Sequence, residues 1–190
     1  MHIKDIFKNI PLLHTPRLIL RRMQRFDIDD IFDYAHNPET SKFLLWYPHE
    51  TKRDTVMYFK NVDKRYKAAE FYDWAIVERV SGRMIGTCGF TSINEIDRKS
   101  EVGYVINPRH KGKGYATEAV MRVLEFGFGE LGFERIEARY MLGNDKSRRV
   151  MDKCYMRYEG IQRHAVFAKG RFFDIGICAV LASDFKKNTQ

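Results

Sequence analysis

The stretch that decides the fold reads Glu101-Val-Gly-Tyr-Val-Ile-Asn-Pro-Arg-His-Lys-Gly-Lys-Gly-Tyr-Ala-Thr-Glu-Ala119. Its first six residues have the branched and aromatic side chains that are typical of a strand. The residues that follow Gly114 have the spacing of an amphipathic helix, with apolar positions at Val120, Val123, Leu124, Phe128 and Leu131. A strand that enters a helix through Gly-x-Gly leaves the first N–H groups of that helix without backbone partners. The stretch therefore predicts a strand, an anion-binding turn and a helix.

The glycine turn has the chemistry of a diphosphate cradle. Glycines let a ligand approach the backbone closely, and the helix dipole favours negative charge at that end. Lys111 and Lys113 add positive charge, and Arg109 is placed to hydrogen-bond a ligand or to brace the loop. The tripeptide alone leaves a second interpretation open, in which the turn is ordinary and its lysines point into water.

Two common phosphate motifs are excluded or weak. A P-loop needs GxxxxGK followed by Ser or Thr, and no such string occurs in the sequence. The dinucleotide pattern GxGxxG ends here in Thr117, although Glu134 or Glu137 lies about 20 residues on, where an acidic residue is expected. That pattern should also open a parallel βαβ unit, whereas antiparallel strands are predicted before this turn.

Working outward, alternating apolar residues predict a hairpin of strands 73–79 and 83–90 around Ser81-Gly82, which the strand 101–106 extends. Further strands are predicted at 17–23, 135–140, 157–167 and 171–181, the last two joined at Lys169-Gly170. Helices are predicted after Asp27, after the near capping box of Thr51 and Asp54, over 116–131, and after Asn144. No repeat, low-complexity tract or linker occurs, so we expect one α/β domain.

Composition excludes several classes of protein. The 190 residues are 44% hydrophobic and 14% aromatic, which is too rich for a disordered chain. No apolar run approaches the roughly 20 residues of a membrane span, and no signal-peptide pattern occurs, so we expect a cytoplasmic protein without membrane contact. Three cysteines without a CxxC pair predict buried thiols and no metal site. The net charge of +8 fits either a phosphate-rich partner or a solvated basic surface.

The loop Arg109-His-Lys-Gly-Lys-Gly-Tyr-Ala-Thr-Glu-Ala119 resembles the R/Q-x-x-G-x-G/A loop of the GNAT superfamily of acyl-CoA N-acetyltransferases. The opening strand at His14–Arg21, the strand Glu101–Pro108 and Asn144–Ser147 fall in the family's order. The chain is most similar to the branch of ribosomal-protein N-terminal (serine/alanine) acetyltransferases, the Rim group. The resemblance extends from about residue 14 to 182 of the single domain at 1–190. It implies a mixed, mostly antiparallel twisted sheet, flanked by helices and splayed near its central strand.

The resemblance also implies acetyl-CoA as the co-substrate and no metal. Its diphosphate is then expected on backbone N–H groups of Lys111, Gly112, Lys113, Gly114, Tyr115 and Ala116, with Arg109 beside them. Its pantetheine arm is expected to pair with Val105 and Ile106 like an extra strand. Asn144 is expected to bond the cofactor, although plain N-capping explains an Asn there equally well.

Acetyl transfer to an amine needs a neutral nucleophile, a polarised thioester carbonyl and a proton for the thiolate. Glu101 is the first candidate for the base, directly or through water, and Ser147 for the acid. Related enzymes outside this branch often have Tyr seven residues after the Asn, where this chain has Met151, which cannot donate a proton. A backbone N–H of residues 104–106 is a candidate to polarise the carbonyl.

Other residues near these motifs are expected to have no role in catalysis. We expect His110 to face solvent, Cys154 to be a core thiol and Phe43 to pack in the core, with Trp46 lining the acceptor groove. The family usually has Lys-Leu-Gly-Phe where this chain reads Lys153-Cys-Tyr-Met156, so we expect Tyr155 to end its helix without a left-handed cap.

The acceptor is the least defined part of the prediction. A protein N-terminal α-amine is favoured, since its pKa of about 7.7–8.0 leaves it partly neutral at pH 7. The resemblance alone suggests a ribosomal protein. A small amine such as a polyamine, an antibiotic or an amino-acid derivative is the first alternative. A basic RNA- or ribosome-binding module without catalysis is the second, although no RNA-binding aromatic motif is found and direct nucleic-acid contact is not expected. A homodimer stays open.

Overall fold

A computed structural model describes residues 3–189 of the chain. The strands are β1 (Leu13–His14), β2 (Leu18–Arg21), β3 (Tyr72–Glu78), β4 (Met84–Asn94), β5 (Lys99–Ile106), β6 (Arg135–Met141), β7 (Arg157–Ala168) and β8 (Arg171–Leu181). The helices are α1 (Ile3–Phe7), α2 (Ile28–Ala35), α3 (Pro38–Ser41), α4 (Lys52–Lys67), α5 (Tyr115–Gly129), α6 (Asp145–Lys153) and α7 (Ala182–Thr189).

The eight strands form one sheet in the order β1-β2-β3-β4-β5-β6-β8-β7. Neighbours pair antiparallel except β5 and β6, which are parallel. That parallel pair has only three rows, Lys99 with Arg135, Ser100 with Ile136 and Glu101 with Glu137. Beyond Glu101 the two strands separate, and we call this opening, between residues 102–106 of β5 and 138–141 of β6, the splay. The predicted mixed, mostly antiparallel sheet with a splay at its central strand is confirmed.

Each face of the sheet is covered by helices that bury their apolar side. Helix α5 packs Val120, Val123 and Leu124, all fully buried, against one face. Helices α2 and α4 cover part of the other face through Ile31, Tyr34, Val62 and Tyr66, and we call it the α2/α4 face. Cys88, Cys154 and Cys178 are free and buried, as the sequence predicts.

Local signals predicted most element boundaries. Thr51 and Asp54 form the reciprocal capping box of α4. Asp27 does occupy the N-cap of α2, but its carboxylate does not cap that helix. It instead accepts two hydrogen bonds of 2.7 Å from the Arg21 guanidinium and one from the Gln24 N–H. The short helices α1, α3 and α7 were not predicted from the sequence.

The prediction for the end of α6 is wrong. Tyr155 has a φ of 62° and so adopts the left-handed conformation without being glycine. Its N–H donates to the Asp152 carbonyl, and the Met156 N–H donates to that of Met151, which together form a Schellman cap. Met151 and Met156 are both buried, and their packing offsets the left-handed strain.

Two structural absences hold for residues 3–189. No helix in that range is both long and apolar enough to cross a membrane. No group of three or more His, Cys, Asp or Glu side chains in it is placed to hold a metal ion.

Candidate active site

A cleft of about 750 Å³ opens at the splay. One wall is the end of β5, at Tyr104, Val105 and Ile106, and the other is α6. The glycine turn and the start of α5 close one end, and residues 39–44 border the cleft from the α3 side. The cleft exists because β5 and β6 stop pairing at Glu101, so that the β6-facing edge of β5 beyond that residue faces the cleft rather than another described strand.

The glycine turn presents bare backbone to this cleft. Gly112 and Gly114 have φ angles of 81° and 83°, in the left-handed region that favours glycine. Gly114 is the N-cap of α5 and contributes no side chain to cap it. A Cβ added to Gly112 would meet nothing within 4 Å. The first-turn N–H groups of α5 are therefore available to an anionic ligand, as the sequence predicts.

Side chains distant in sequence hold this turn in shape. Arg17 donates from Nη1 to the Lys113 carbonyl at 2.9 Å and from Nε to Glu118 at 2.6 Å. The Tyr115 hydroxyl donates to Glu78 at 2.5 Å. The Asn107 side chain accepts the Arg109 N–H and donates to Asp33. These contacts fix the turn before any ligand binds, and Arg17 and Glu118 were not singled out from the sequence.

Most predicted cofactor residues line the cleft: Val105, Ile106, Lys111, Gly112, Gly114, Tyr115, Ala116 and Asn144. Arg109 and Lys113 are not among the lining residues. The Arg109 guanidinium is 2.8 Å from the Asp33 carboxylate, which corresponds to the bracing role foreseen for it. Positive charge at the cleft comes from Lys111 and from four residues that were not predicted as cofactor residues, Lys42, Lys146, Arg149 and Lys153. Burial and the nearby Lys146 lower the pKa of Lys111. The positive charge of this side chain is therefore poorly balanced until an anion binds.

His110 does not face solvent as expected. It is half-buried, and its Nδ1 is buried without a hydrogen-bond partner among the described residues. That nitrogen is 4.0 Å from Glu78, which also accepts the Tyr115 hydroxyl. His110 therefore packs against Glu78 and Tyr115 and is also one of the residues that line the cleft.

Glu101 lies at the last paired row of β5 and β6, where the splay begins. Because side chains alternate along a strand, Glu101 shares the α2/α4 face with Val105. Its carboxylate is 3.4 Å from Arg139 Nε. Burial raises its pKa, against the opposing effects of Arg139 and Thr91. Glu101 does not line the cleft, so the structure does not bring it together with Ser147 on one wall.

Asn144 and Ser147 both line the cleft from the first turn of α6. The Asn144 side chain accepts the Ser147 N–H at 3.3 Å, so Asn144 is the N-cap of that helix. The Ser147 Oγ is 2.9 Å from the Tyr104 hydroxyl, which reaches across from β5. Sequence reasoning missed the Tyr104 side chain, since no spacing rule relates residues 43 positions apart.

The remaining predicted residues separate into core and cleft. Cys154 is buried, and burial raises its pKa to about 12, so it stays a thiol as expected. The expectation that Phe43 packs in the core is wrong, and Trp46 lies outside this cleft. Phe43 lines the cleft, whereas Trp46 packs against the α2/α4-face core with its ring 5.7 Å from that of His49.

This arrangement fits coenzyme A. The bare glycine turn suits a diphosphate, and lysines and an arginine line the cleft beside it. The open edge of β5 offers backbone groups to an extended arm. A splayed mixed sheet with this turn at its central helix defines the class of acyl-CoA-dependent N-acyltransferases.

The chain belongs to the GNAT acetyltransferases, because the family model described as "Acetyltransferase (GNAT) domain" matches residues 17–157. It is accordingly an N-acetyltransferase with acetyl-CoA as co-substrate. The uncharacterized N-acetyltransferase p20 of Bacillus licheniformis is 31% identical over 91% of this chain and 97% of its own length. A GNAT acetyltransferase structure from Bacillus anthracis has a TM-score of 0.81 at 25% identity and covers 91% of this chain and 99% of that one.

Two relatives bear on the acceptor. The spermidine N(1)-acetyltransferase of Vibrio cholerae is 25% identical over 92% of this chain and 98% of its own length. YdaF of Bacillus subtilis, provisionally described as a ribosomal N-acetyltransferase, is 25% identical over 89% of this chain and 85% of its own.

Proposed function

We propose that this enzyme acetylates the α-amine at a protein N-terminus by direct transfer from acetyl-CoA. The observation that carries the proposal is the position of Glu101, a half-buried carboxylate with a raised pKa that lies outside the cleft lining, at the row where the splay begins. Such a group ionises closer to neutral pH than an ordinary Glu, which suits a general base. An α-amine needs only modest help to lose its proton, whereas a lysine amine needs roughly 3 kcal/mol more. The likeness to YdaF supports a protein acceptor.

In this proposal the glycine turn binds the diphosphate of acetyl-CoA through N–H groups of residues 111–116. The neighbouring cations Lys111, Lys146 and Lys153 compensate the phosphate charge. The pantetheine arm lies along Val105 and Ile106, and a backbone N–H there polarises the thioester carbonyl. Asn144 shapes the first turn of α6 and bonds the arm.

The proposed chemistry uses two side chains. Glu101 takes a proton from the acceptor ammonium, directly or through one water. The neutral nitrogen then attacks the acetyl carbon, and the C–S bond breaks with its electron pair on sulfur. Ser147 hydrogen-bonds that sulfur, and the thiol formed gains a proton equivalent to the one that the amine nitrogen loses as the amide forms. The acetyl group is never attached to the protein, in agreement with the buried, protonated Cys154.

A polyamine is the second candidate acceptor, and the likeness to the spermidine enzyme of Vibrio cholerae supports it. The test measures CoA release with three acceptors at equal amine concentration: a peptide with a free α-amine and no lysine, the same peptide N-terminally blocked with one lysine, and spermidine. We expect kcat/KM to be highest for the first peptide. Preference for spermidine would overturn the protein acceptor and leave acetyl transfer intact.

A further inference from the structure

The splay is crossed by one side-chain contact that the sequence did not reveal. Tyr104 extends from the β5 wall, and its hydroxyl lies 2.9 Å from Ser147 Oγ and 3.0 Å from the Ser147 carbonyl on the α6 wall. Both residues line the cleft. A tyrosine on one wall thus holds the candidate acid on the other.

The hydrogen-bond inventory allows two directions for this contact. Tyr104 gives its proton to Ser147 Oγ, or it gives it to the Ser147 carbonyl and accepts a hydrogen bond from Ser147 Oγ. A tyrosine hydroxyl has one proton, and a serine hydroxyl has one proton and two lone pairs. The Ser147 carbonyl has a partner already available, because the i to i−4 pattern of α6 directs the Met151 N–H to it. If Tyr104 donates to Ser147 Oγ, the Ser147 proton must point elsewhere, and the open direction is the cleft. If Ser147 donated to Tyr104 instead, it would have no proton left for a ligand.

The protonation state of Tyr104 keeps its hydroxyl proton available for the first direction. Burial raises its pKa well above the usual range, the hydrogen bond with Ser147 opposes that effect, and the neighbouring thiols add to it. Tyr104 therefore stays a donor at every working pH and is too weak an acid to be the net source of a proton.

We propose that Tyr104 is a positioning residue, whose hydroxyl donates to Ser147 Oγ and so directs the Ser147 proton at the sulfur of coenzyme A. This inference rests on the role proposed for Ser147. It accounts for how a chain with Met151 in place of a tyrosine on α6 stabilises the leaving thiolate: the phenol comes from β5 and acts through serine. As the C–S bond breaks, the two hydroxyls form a chain whose hydrogen bonds strengthen together while charge develops on sulfur.

The first test measures the thiol pKa of bound coenzyme A and needs no acceptor. Thiolate absorbance of the CoA complex is titrated for wild type, Tyr104→Phe, Ser147→Ala and the double variant, with the free proteins subtracted. We expect wild type to lower the thiol pKa, and each single variant to reduce its ionisation constant roughly three- to tenfold, since a hydrogen bond to a charged group is lost. The double variant should lose no more than Ser147→Ala alone. Equal thiol pKa values in wild type and Tyr104→Phe would overturn the inference.

The second test separates positioning from simple bracing of the cleft. Single-turnover acetyl transfer should slow about tenfold in Tyr104→Phe with an unchanged KM for acetyl-CoA, and this loss should vanish in the Ser147→Ala background. Equal slowing in both backgrounds would show that Tyr104 only braces the cleft. Tyr66→Phe is the matched control, because it removes a buried hydroxyl bonded to the Asp73 carbonyl, away from the cleft. It should lower stability without changing the rate.

The two proposals fail differently. A wild type that releases no CoA with any amine contradicts the proposed function but leaves the thiol titration to decide on Tyr104. An active wild type with an unshifted thiol pKa contradicts the roles of both Tyr104 and Ser147 at the sulfur but leaves acetyl transfer to an amine intact.

Discussion

The two halves of β5 differ in their relation to β6: the first half pairs with it and the second half does not. From Lys99 to Glu101 the strand pairs with β6, and Glu101, Glu137, Arg139 and Arg135 form a connected set of carboxylates and guanidinium groups there. From Val102 to Ile106 the same strand has left β6, and its last three residues, 104–106, border the cleft. In the first half, the β6-facing edge is paired and the charged side chains form ion pairs. The second half keeps an unpaired edge and leads into the glycine turn, which presents bare backbone to the cleft. The comparison shows how a continuous sheet can form a ligand site: two parallel strands pair over three rows and then separate.

The two ends of helix α5 also differ, because one opens on the cleft and the other lies beside the paired half of β5. Its N-terminus opens on the cleft at Gly114, and its C-terminus is followed by Gly132, whose carbonyl accepts a hydrogen bond from Arg98 at 2.9 Å, next to the paired half. Both glycines are left-handed, with φ angles of 83° and 66°. Both ends therefore need glycine for backbone conformation, but only the end at Gly114 should affect ligand binding.

Glu101 lies at the boundary between the two halves of β5, and we expect its replacement to have the largest effect on activity. Glu101→Gln removes the proposed base, so we expect kcat to fall about 10²- to 10³-fold at pH 7.5. In wild type kcat/KM should rise with pH through the raised pKa of Glu101, because only the ionised carboxylate accepts the proton. The variant should lose that rising limb. A pH profile from 5 to 9 measures both.

Glu137→Gln is the matched control for this change. Glu137 is the parallel partner of Glu101, contacts the same Arg139, and has a side chain that is 24% exposed, against 23% for Glu101. We expect its kcat to stay within about twofold of wild type, with the rising limb of the pH profile kept but moved to slightly lower pH, because Glu137 contributes to the raised pKa of Glu101. Equal losses in the two variants would mean that Glu101 acts through the ion-pair set rather than as a base.

The two ends of α5 give the next largest effect. An alanine at a left-handed position costs about 1–2 kcal/mol of stability, so Gly114→Ala and Gly132→Ala should be destabilised alike. Only Gly114→Ala should also weaken acetyl-CoA, with Kd raised about 10- to 100-fold, because its Cβ and altered backbone disturb the N–H groups of the turn. Calorimetric titration with acetyl-CoA measures Kd. Similar affinity in both variants would place the diphosphate elsewhere.

The buried carboxylate of Asp73 should lower the stability of the free enzyme beside the open half of β5. It pairs with Gly89, which pairs with Gly103, so it lies on a row of the open half. Burial raises its pKa to about 7, and its Oδ1 has no hydrogen-bond partner among the described residues. The folded state thus binds more protons than the unfolded state between about pH 4 and 7, and stability falls as pH rises through that window.

Asp73→Asn removes this titration. We expect it to be more stable than wild type at pH 8, by no more than a few kcal/mol, and close to wild type near pH 4.5. Asp63→Asn on α4 should show the opposite sign, since Lys67 and Arg22 lower the pKa of Asp63 and its contribution is present at pH 8. Thermal unfolding of the three proteins across pH 4.5–8.5 compares them. A wild-type Tm that does not fall relative to Asp73→Asn as pH rises would contradict the burial argument.

The sequence predicts the paired half and the glycine turn better than the contacts across the splay. The hairpin at Ser81-Gly82, the capping box at Thr51 and helix α5 depend on residues within a few positions of one another, where turn chemistry and periodicity act. Helices α1 and α3 have at most five residues, too short for periodicity to reveal, and depend on tertiary packing. Helix α7 buries only Phe185, so it has no apolar period to recognise.

The site was predictable only where a motif is local. The turn residues from Lys111 to Ala116 are contiguous, and all but Lys113 line the cleft. Arg17 reaches Lys113 across 96 positions, and Tyr104 reaches Ser147 across 43. No rule of spacing relates such pairs, because the folded sheet alone brings them together. The same reason explains why the half-buried position of His110, against Glu78 and Tyr115, was not predicted.

Tyr155 should give the smallest effect, on the α6 wall of the open half. Its left-handed φ of 62° completes the Schellman cap at a strain that glycine would not have. Tyr155→Gly relieves that strain but adds freedom to the unfolded chain, so we expect a net gain of about 0.5–1 kcal/mol and a Tm higher by roughly 2 °C. Tyr158→Gly, three residues on in β7, should lower Tm, because a strand has no use for glycine's freedom. Acetyl-CoA affinity should be unchanged in Tyr155→Gly, since the cap lies beyond the residues that line the cleft. A lower Tm in Tyr155→Gly would mean that packing of the tyrosine ring, rather than backbone strain, dominates at the end of α6.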